Sequence, residues 1–431
     1  MFKGITGNIF VKKEKQEQYE KNIKNILDLA KKIEESSKID ISELVETILS
    51  GSVILDSSDI HTEPEEKNVK IRIRIDGILH NISVLDYQTY RRFLSRIKLL
   101  SGIKLNITNK PQDGRFSLII ENKKEIDIRV STLPSEYGET VVMRLLDPEK
   151  LIEIEKLGLR KDLFETLNKM IKLPNGMIVV TGPTGSGKTT TLYAILKKIR
   201  NPEIKIITIE DPIEYHLEGI SQTQVNPKKG YDFANGLRAI VRQDPDVILV
   251  GEIRDEETAE IALQASLTGH LVLTTLHTND AAGTIARFQA LGQKPVNIAP
   301  ALRLAIAQRL IRKVCSDCVK YENPTEEEIN ILKEEFEKIL SKKLEIPQNF
   351  KIARPKGCKK CNFTGYKGRI GVYEFFVVDE EMERFIITNP SISDLRKKAI
   401  EKGMVLMKQD GFLKVIDGIT TIEEVIKNTG E

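Results

Sequence analysis

The 431-residue sequence has no tryptophan, only five histidines and four cysteines, and no long apolar run. Without about 20 consecutive apolar residues, no segment is suited to span a bilayer as a helix. The beginning, MFKGITGNIFVKKEK, lacks the apolar core of a signal peptide, so we expect a cytoplasmic protein. The sequence also has no large excess of one charge, because it contains 66 Lys and Arg residues and 63 Asp and Glu residues. The charge balance gives little reason to expect a nucleic-acid partner.

The first third of the chain predicts a small α+β domain. Residues 12 to about 38 are rich in Lys, Glu, Gln and Asn, which predicts an exposed helix or a flexible arm. VKIRIRIDGIL alternates apolar and basic residues before Asp76-Gly77, as expected of a half-buried strand that enters a hairpin. YRRFLSRIKLLSG predicts a helix with one apolar face. A second hairpin and a further strand complete this domain near residue 148.

After residue 149, short apolar runs alternate with helical or loop-like segments. The runs are MIVV, IKIITI, VILVG and LVLTTL. Such runs are typical of strands that are buried on both faces of a mostly parallel sheet, so we expect an α/β domain of the nucleotide-binding type. From about residue 313 the chain carries all four cysteines, a Glu- and Lys-rich helix around 325–342, and a helical tail.

The stretch TGPTGSGKTTTLY follows the first of these runs directly. Its Gly182, Gly187, Lys188 and Thr189 fit the pattern GxxxxGK[ST] between a strand and a helix. The glycines let backbone N–H groups turn toward phosphates, Lys188 reaches the terminal phosphates, and Thr189 supplies a hydroxyl to Mg²⁺. The predicted nucleotide contacts are Gly182, Pro183, Thr184, Gly185, Ser186, Gly187, Lys188, Thr189 and Thr190.

Two other apolar runs end in carboxylates. VILVGEIRD ends in Gly251-Glu252, where a carboxylate can orient the attacking water or hold hydrated Mg²⁺. Glu252 is our candidate for water activation, and the alternative is a solvated residue at a strand end. ITIEDPIEY supplies Glu210 as a further catalytic candidate, and the alternative there is a turn built around Asp-Pro.

Two of the five histidines, His270 and His277, bracket the run LVLTTL. A histidine at the end of this strand could hydrogen-bond a terminal phosphate and respond to its loss. We therefore treat His277 as a catalytic candidate and His270 as a nucleotide-binding candidate. The alternative for both is a structural histidine.

Four stretches in a fixed order resemble the Walker A, Asp box, Walker B and His box motifs of the bacterial secretion ATPases. They are GPTGSGKTTTLY, ITIEDPIEY, ILVGEIRD and TGHLVLTTLHTNDA. This family includes the motors of type IV pilus assembly and type II secretion. Earlier stretches, such as PQDGR and IDIRVSTLPSEYGETVVMRLLD, are similar to the domain that precedes the ATPase core in the family. The resemblance covers about residues 52–415.

The resemblance implies a RecA-like P-loop core, a homohexameric ring, and ATP bound between the two domains, with hydrolysis changing their relative orientation. It implies that Arg129 and Arg144 of the first domain approach the phosphates. Arg238 and Arg254 match core arginines near the nucleotide or a subunit contact. Guanidinium groups offset the charge that develops on a transferred phosphoryl group, so these roles are chemically consistent.

The cysteines form the pairs Cys315/Cys318 and Cys358/Cys361, which offer four thiolates for one tetrahedral Zn²⁺ ion. The 39 residues between the pairs exceed the usual ribbon spacing, so the intervening helix must loop out. Assembly and secretion motors of the resembled family carry a tetracysteine zinc module here, whereas retraction motors typically lack it. We expect structural zinc, with a metal-free or redox role as the alternative.

These observations predict five segments. They are an exposed helical arm (1–45), an α+β domain (46–148), a P-loop ATPase core (149–312), a tetracysteine zinc module with a helical insertion (313–370) and a helical C-terminal region (371–431).

The function implied by the resemblance is a hexameric Mg-ATP-hydrolysing motor. It would drive assembly of a type IV pilus or a type II secretion pseudopilus through an inner-membrane platform protein, with only peripheral membrane association. Three alternatives remain open. They are a DNA-uptake pseudopilus motor, a nucleotide-gated scaffold whose hydrolysis is incidental, and a nucleic-acid motor that grips DNA with a zinc ribbon.

Overall fold

The computed structural model describes residues 7–430 apart from 123, 151, 338–346 and 348. The chain divides into two compact units. The first comprises Met1–Lys150, Cys315–Cys318 and Pro355–Lys367, and the second comprises Leu151–Val314, Val319–Arg354 and Gly368–Glu431. The five-segment division stays a prediction.

The first unit is built on a seven-stranded sheet. Its strands are β1 (Asn8–Val11), β2 (Asp59–Pro64), β3 (Val69–Ile75), β4 (Ile78–Leu85), β5 (Gln112–Ile120), β6 (Lys124–Ser135) and β7 (Gly138–Leu146), in the order β1-β5-β6-β7-β2-β3-β4. Its helices are α1 (Lys13–Asn22), α2 (Ile26–Ser37), α3 (Ile41–Ile54) and α4 (Tyr87–Leu100).

The alternating strand and the amphipathic helix of this unit are confirmed. Along β3 every apolar residue is buried and every basic residue is partly exposed. In α4 the Asp86 side chain caps the first turn by accepting a hydrogen bond from the Thr89 N–H at 2.9 Å. Tyr90, Phe93 and Ile97 of α4 are buried, so one helical face packs on the core of the sheet unit.

Helices α1 and α2 are packed on this unit, whereas their composition predicts an exposed arm. Tyr19, Leu29 and Ile33 of these helices are buried in the core, whereas Leu27 is exposed. Close helix packing explains the burial, because a β-carbon at Gly51 of α3 would lie 2.3 Å from Leu29 Cδ1. A few apolar residues are therefore sufficient to pack a helix on the core when they lie on one helical face.

The second unit is built on another seven-stranded sheet. The remaining strands of the chain are β8 (Gly176–Thr181), β9 (Ile206–Glu210), β10 (Ser221–Gln224), β11 (Val247–Val250), β12 (Leu271–Leu276), β13 (Leu302–Val314), β14 (Lys320–Glu322), β15 (Ile352–Arg354) and β16 (Tyr366–Val377). The order in the sheet is β10-β9-β11-β12-β8-β13-β16, with all pairings from β10 to β13 parallel, and β14 pairs separately with β15.

Helices cover this sheet and form the C-terminal part of the chain. They are α5 (Lys161–Met170), α6 (Lys188–Ile199), α7 (Phe233–Val241), α8 (Glu256–Leu267), α9 (Gly283–Ala290), α10 (Pro295–Ala301), α11 (Glu326–Phe336), α12 (Glu380–Ile387), α13 (Ile392–Glu401), α14 (Met407–Ile416) and α15 (Ile422–Thr429). In the part of the chain that the structure describes, no helix has both the length and the apolar composition to cross a bilayer.

The predicted α/β class and its four buried strands are confirmed as β8, β9, β11 and β12. The helix predicted around 325–342 is observed as α11, and residues 338–342 lie outside the described part. Because the strands run parallel, their carboxyl ends meet at one edge of the sheet, where ligands of such folds bind.

Candidate nucleotide-binding site

The loop between β8 and α6 has a backbone that glycine alone accommodates well. Gly182, Gly185 and Gly187 have φ values of 148°, 81° and 89°. A β-carbon at Gly182 would lie 2.6 Å from the carbonyl oxygen of Gln308 and 2.7 Å from Ser186 Oγ. The first glycine is therefore required both by its dihedral angle and by the strand packed behind it.

The groups that line this loop are suited to bind the phosphates of a nucleoside triphosphate. The Ser186 hydroxyl is buried and has no hydrogen-bond partner among the described residues, so it is available to an incoming oxygen. Helix α6 begins at Lys188 and directs the N–H groups of its first turn, including those of Thr189 and Thr190, toward the loop. This turn also carries the Thr189 hydroxyl, which could hold Mg²⁺.

Lys188 is held at the start of the loop. Its ammonium group donates hydrogen bonds to the carbonyl oxygens of Gly182 at 2.8 Å and Pro183 at 3.1 Å. Burial lowers the pKa of Lys188, while the negative charge of Glu252 opposes that shift. The lysine and the carboxylate therefore belong to one electrostatic site.

Glu252 lies two residues beyond β11, between two other predicted site residues. Its Oε1 is 2.5 Å from Arg254 Nη2, and its Oε2 is 3.7 Å from His277 Nε2. The Thr275 hydroxyl donates to the Gly251 carbonyl at 2.7 Å and fixes the preceding residue. The Glu252 side chain is only 14% exposed, so the carboxylate is positioned rather than freely solvated.

The surroundings of His277 favour the neutral form of its imidazole. Burial and then the positive charge of Lys188 lower the pKa of His277, and these effects outweigh the opposing charge of Glu252. A neutral imidazole retains one N–H donor and one acceptor nitrogen, so it can donate to a phosphate oxygen. The structure thus brings Lys188, Glu252, Arg254 and His277 together.

The structure does not bring His270 to this site. Parallel strands β8 and β12 start together, with Leu271 beside Gly176, so His270 lies at the amino-terminal edge of the sheet. Its carbonyl accepts from Gly176 N at 3.2 Å, and its Nδ1 is 3.0 Å from the Ala265 carbonyl. At about 3.3 Å per residue, the strand puts roughly 20 Å between the two histidines. His270 therefore lies at the edge of the sheet opposite the phosphate loop, and its nucleotide contact stays a prediction.

Glu210 ends β9, and its carboxylate is occupied by protein donors. It accepts hydrogen bonds from the hydroxyl of Tyr193, from Thr208 Oγ1 at 2.6 Å and from Gln222 Nε2 at 3.2 Å. Because Glu210 is buried and Tyr193 belongs to α6, the observed bonds attach the helix after the phosphate loop to the sheet. A catalytic role for Glu210 stays a prediction.

The other predicted arginines lie in different settings. Arg238 of α7 forms an exposed ion pair with Glu257 of α8. In the first unit, Arg129 of β6 and Arg144 of β7 are cross-strand neighbours and share one face of the sheet. Arg144 Nε donates to Asp59 Oδ1 at 2.9 Å, which orients its guanidinium group.

Two residues that support the site, one on β13 and one on β16, were not predicted from the sequence. Gln308 is buried, and its Oε1 accepts from the Thr191 hydroxyl of α6 at 2.7 Å. Glu374 of β16 is also buried and accepts from the Ala281 N–H at 2.9 Å, just after the loop that carries His277. A signal was present, since the pair Gln308-Arg309 interrupts the apolar alternation of LRLAIAQRLIRKV.

The four cysteine sulfurs form a cluster within the first unit, all within 4.8 Å of one another. The Sγ–Sγ distance is 4.0 Å for Cys315–Cys358, 3.8 Å for Cys318–Cys361 and 3.7 Å for Cys358–Cys361. Tetrahedral Zn²⁺ with Zn–S distances of about 2.3 Å places sulfurs roughly 3.8 Å apart. The thiol set therefore fits a closed structural zinc site.

Backbone donors favour the thiolate form of Cys361. Cys361 Sγ receives the N–H of Cys358 at 3.1 Å and that of Gly365 at 3.3 Å. Burial raises the pKa of a thiol, but these N–H groups outweigh it and lower the pKa of Cys361. The N–H of Cys315 donates to the Gly365 carbonyl at 2.9 Å, so the two cysteine hairpins are also joined by backbone.

Comparison with known proteins supports the motif-based resemblance. The profile of the family described as "Type II/IV secretion system protein" matches residues 34–427. The chain is 44% identical to the "Type IV pilus assembly ATPase PilB" of Thermus thermophilus, covering 90% of this chain and 43% of that protein. It is also 44% identical to the "Type II secretion system ATPase E" of Vibrio cholerae, covering 93% of this chain and 77% of that protein.

Solved structures share the fold. The pilus retraction motor PilT with bound ADP superposes with a TM-score of 0.59 at 25% identity, covering 88% of this chain and 95% of that one. The ATPase DotB of Legionella pneumophila, at 23% identity, superposes with a TM-score of 0.64 over 88% of this chain and 94% of that one. The chain therefore belongs to the Type II/IV secretion system protein family, which includes ATPases of pilus assembly and of type II secretion.

Proposed function

We propose that the chain is a Mg-ATP-hydrolysing motor that drives assembly of a type IV pilus or a type II secretion pseudopilus. The observation that carries this proposal is the position of Glu252. Its carboxylate is held by Arg254 and lies 3.7 Å from His277, at the sheet edge that also bears the phosphate loop. A largely buried carboxylate at this edge is suited to orient an attacking water toward a terminal phosphate.

The roles of the other residues follow from their chemistry. Lys188 and the N–H groups at the start of α6 bind the phosphates, and Thr189 holds the metal ion. Mg²⁺ supplies positive charge that neutralises the phosphate oxygens. Neutral His277 donates a hydrogen bond to the terminal phosphate. When hydrolysis removes that phosphate, the hydrogen bond is lost and the loop after β12 changes its conformation. Arg129, Arg144 and Arg238 are proposed phosphate or subunit contacts, because they match arginines of the resembled family.

The assembly state and setting are also part of the proposal. We infer a homohexamer that acts on an inner-membrane platform protein and reaches the membrane from the cytoplasm through that partner. Support comes from the relatives, which are named for pilus assembly and type II secretion. We further propose one structural Zn²⁺ per chain at Cys315, Cys318, Cys358 and Cys361, because their four sulfurs lie within 4.8 Å of one another.

Light scattering tests the proposed hexamer, and a parallel hydrolysis assay distinguishes the motor from a nucleic-acid motor. With Mg²⁺ and a non-hydrolysable ATP analogue, we expect a molar mass of about six times 48.8 kDa. Specific ATP turnover should rise with protein concentration as rings form. A monomeric mass under all conditions would contradict the hexamer. Turnover that increases on adding DNA and weakens with salt would favour the nucleic-acid motor instead.

A further inference from the structure

An arginine outside the predicted motifs lies beside the first glycine of the phosphate loop. Strands β13 and β8 run parallel with Ala307 next to Thr181, so the residues that follow them are also neighbours. A β-carbon at Gly182 would lie 3.2 Å from Nη1 of Arg309. Arg309 therefore approaches the end of the loop that Lys188 also contacts.

The guanidinium group of Arg309 is oriented by two backbone carbonyls. Its Nη1 donates to the carbonyl of Gln308 at 3.2 Å and its Nη2 to that of Asn279 at 3.3 Å. Asn279 follows His277 by two residues, so Arg309 joins the phosphate loop to the loop that carries this histidine. A guanidinium has five N–H donors, and two long bonds leave most of them for another acceptor.

Arg309 also lacks an ion pair, within the residues that the structure describes. The carboxylates that influence it, Glu374 and Asp280, are engaged elsewhere, because Glu374 accepts from Ala281 N and Asp280 pairs with Arg396. Burial lowers the pKa of Arg309, and its positive charge contributes to lowering the pKa of Lys188. A half-buried cation beside another cation is typical of a site prepared for an anion.

We propose that Arg309 is a second cationic contact for the terminal phosphate, acting beside Lys188 and coupling that phosphate to the loop of His277. This inference rests on the nucleotide site of the proposed function. The lysine of such a loop reaches the β- and γ-phosphates. Arg309 lies beside Gly182, the residue whose carbonyl Lys188 contacts. A guanidinium can hold two phosphate oxygens at once, which an ammonium cannot do in the same planar geometry.

The same strand offers a matched control. Arg303 lies at the start of β13 and packs over Gly176, at the opposite end of β8, with its Cγ 2.4 Å from a β-carbon placed there. Arg303 and Arg309 are thus both partly buried arginines that cover a glycine at one end of β8. Only Arg309 lies at the phosphate-loop end.

The test measures Mg-nucleotide affinity of Arg309→Gln, Arg309→Lys and Arg303→Gln by titration with fluorescent ADP and a fluorescent non-hydrolysable ATP analogue. A hydrogen-bonded contact to a charged group is worth about 1.5–3 kcal/mol, so Arg309→Gln should weaken binding of the ATP analogue by about 10- to 150-fold. The affinity for ADP should fall by less than about threefold, because ADP lacks the γ-phosphate. Arg309→Lys should retain part of the preference for the triphosphate, and Arg303→Gln should bind both nucleotides like the wild type.

Two results would overturn the proposal. Equal losses of affinity for ADP and for the ATP analogue would mean that Arg309 acts only on the shape of the loop. Unchanged affinity for both nucleotides would mean that Arg309 does not contact the phosphates. A thermal melt identifies unfolding, and the ADP-to-ATP ratio of Arg309→Lys decides the matter if Arg309→Gln does not fold. Wild-type ATP turnover, measured in parallel, tests the proposed function separately. A wild-type chain that binds nucleotide but does not hydrolyse it would contradict the motor and leave the Arg309 comparison intact.

Discussion

The Glu252→Gln variant is expected to hydrolyse ATP about 10²- to 10⁴-fold more slowly than the wild type, while its nucleotide affinity changes by less than about threefold. Glutamine keeps the shape of the side chain and an acceptor oxygen for Arg254, so the loop geometry should persist. It removes the negative charge that orients and activates the attacking water. The loss should therefore appear in kcat and not in binding.

Steady-state turnover and titration with a fluorescent ATP analogue measure these two quantities. Glu260→Gln is the control, because it makes the same chemical change on an exposed residue of α8. Wild-type turnover in Glu252→Gln would exclude Glu252 as the activating carboxylate. A parallel loss of nucleotide affinity would indicate that Glu252 supports the loop rather than the chemical step.

The second large effect concerns the cysteine cluster. Wild-type protein should contain one zinc per chain, and Cys361→Ser should contain less than about a tenth of that amount, because structural zinc needs all four thiolates. Zinc binding in such sites stabilises the folded ligand region by about 10–16 kcal/mol. Hydrogen exchange at Cys315–Cys318 and 355–367 should therefore rise steeply in Cys361→Ser, while strands β8 and β12 stay protected.

Ser316→Ala provides the control for this experiment, since Ser316 is an exposed residue inside the first cysteine pair and offers no thiolate. It should keep its zinc and its protection from exchange. Metal analysis by atomic emission gives the stoichiometry. A wild-type chain that is purified without zinc and does not bind added zinc would contradict the structural-metal proposal and favour a metal-free or redox role.

Local patterns were sufficient to predict much of the fold and the centre of the site. The alternation in β3, the apolar runs of β8 and β12 and the glycines of the phosphate loop each determine a backbone shape within a few residues. Glu252 and His277 could be predicted because parallel strands deliver their carboxyl ends to one edge. In the structure, His277 Nε2 lies 3.7 Å from Glu252 Oε2.

Other features depended on contacts that are distant in sequence. His270 has the same residue type as His277, yet the direction of β12 carries it to the far edge of the sheet. Glu210 ends a strand as predicted, but Tyr193 and Gln222 occupy its carboxylate. Burial of α1 and α2 follows from the close approach allowed by Gly51, which composition does not reveal.

The most direct test of the central claim is a count of surface filaments by electron microscopy. A strain that lacks this chain would be complemented with the wild type, with Glu252→Gln or with Glu260→Gln, at matched expression. A hydrolysis-driven assembly motor predicts that filaments return with the wild type and Glu260→Gln and remain absent with Glu252→Gln. Filaments restored by a Glu252→Gln chain that binds but does not hydrolyse ATP would contradict the motor and identify a nucleotide-gated scaffold.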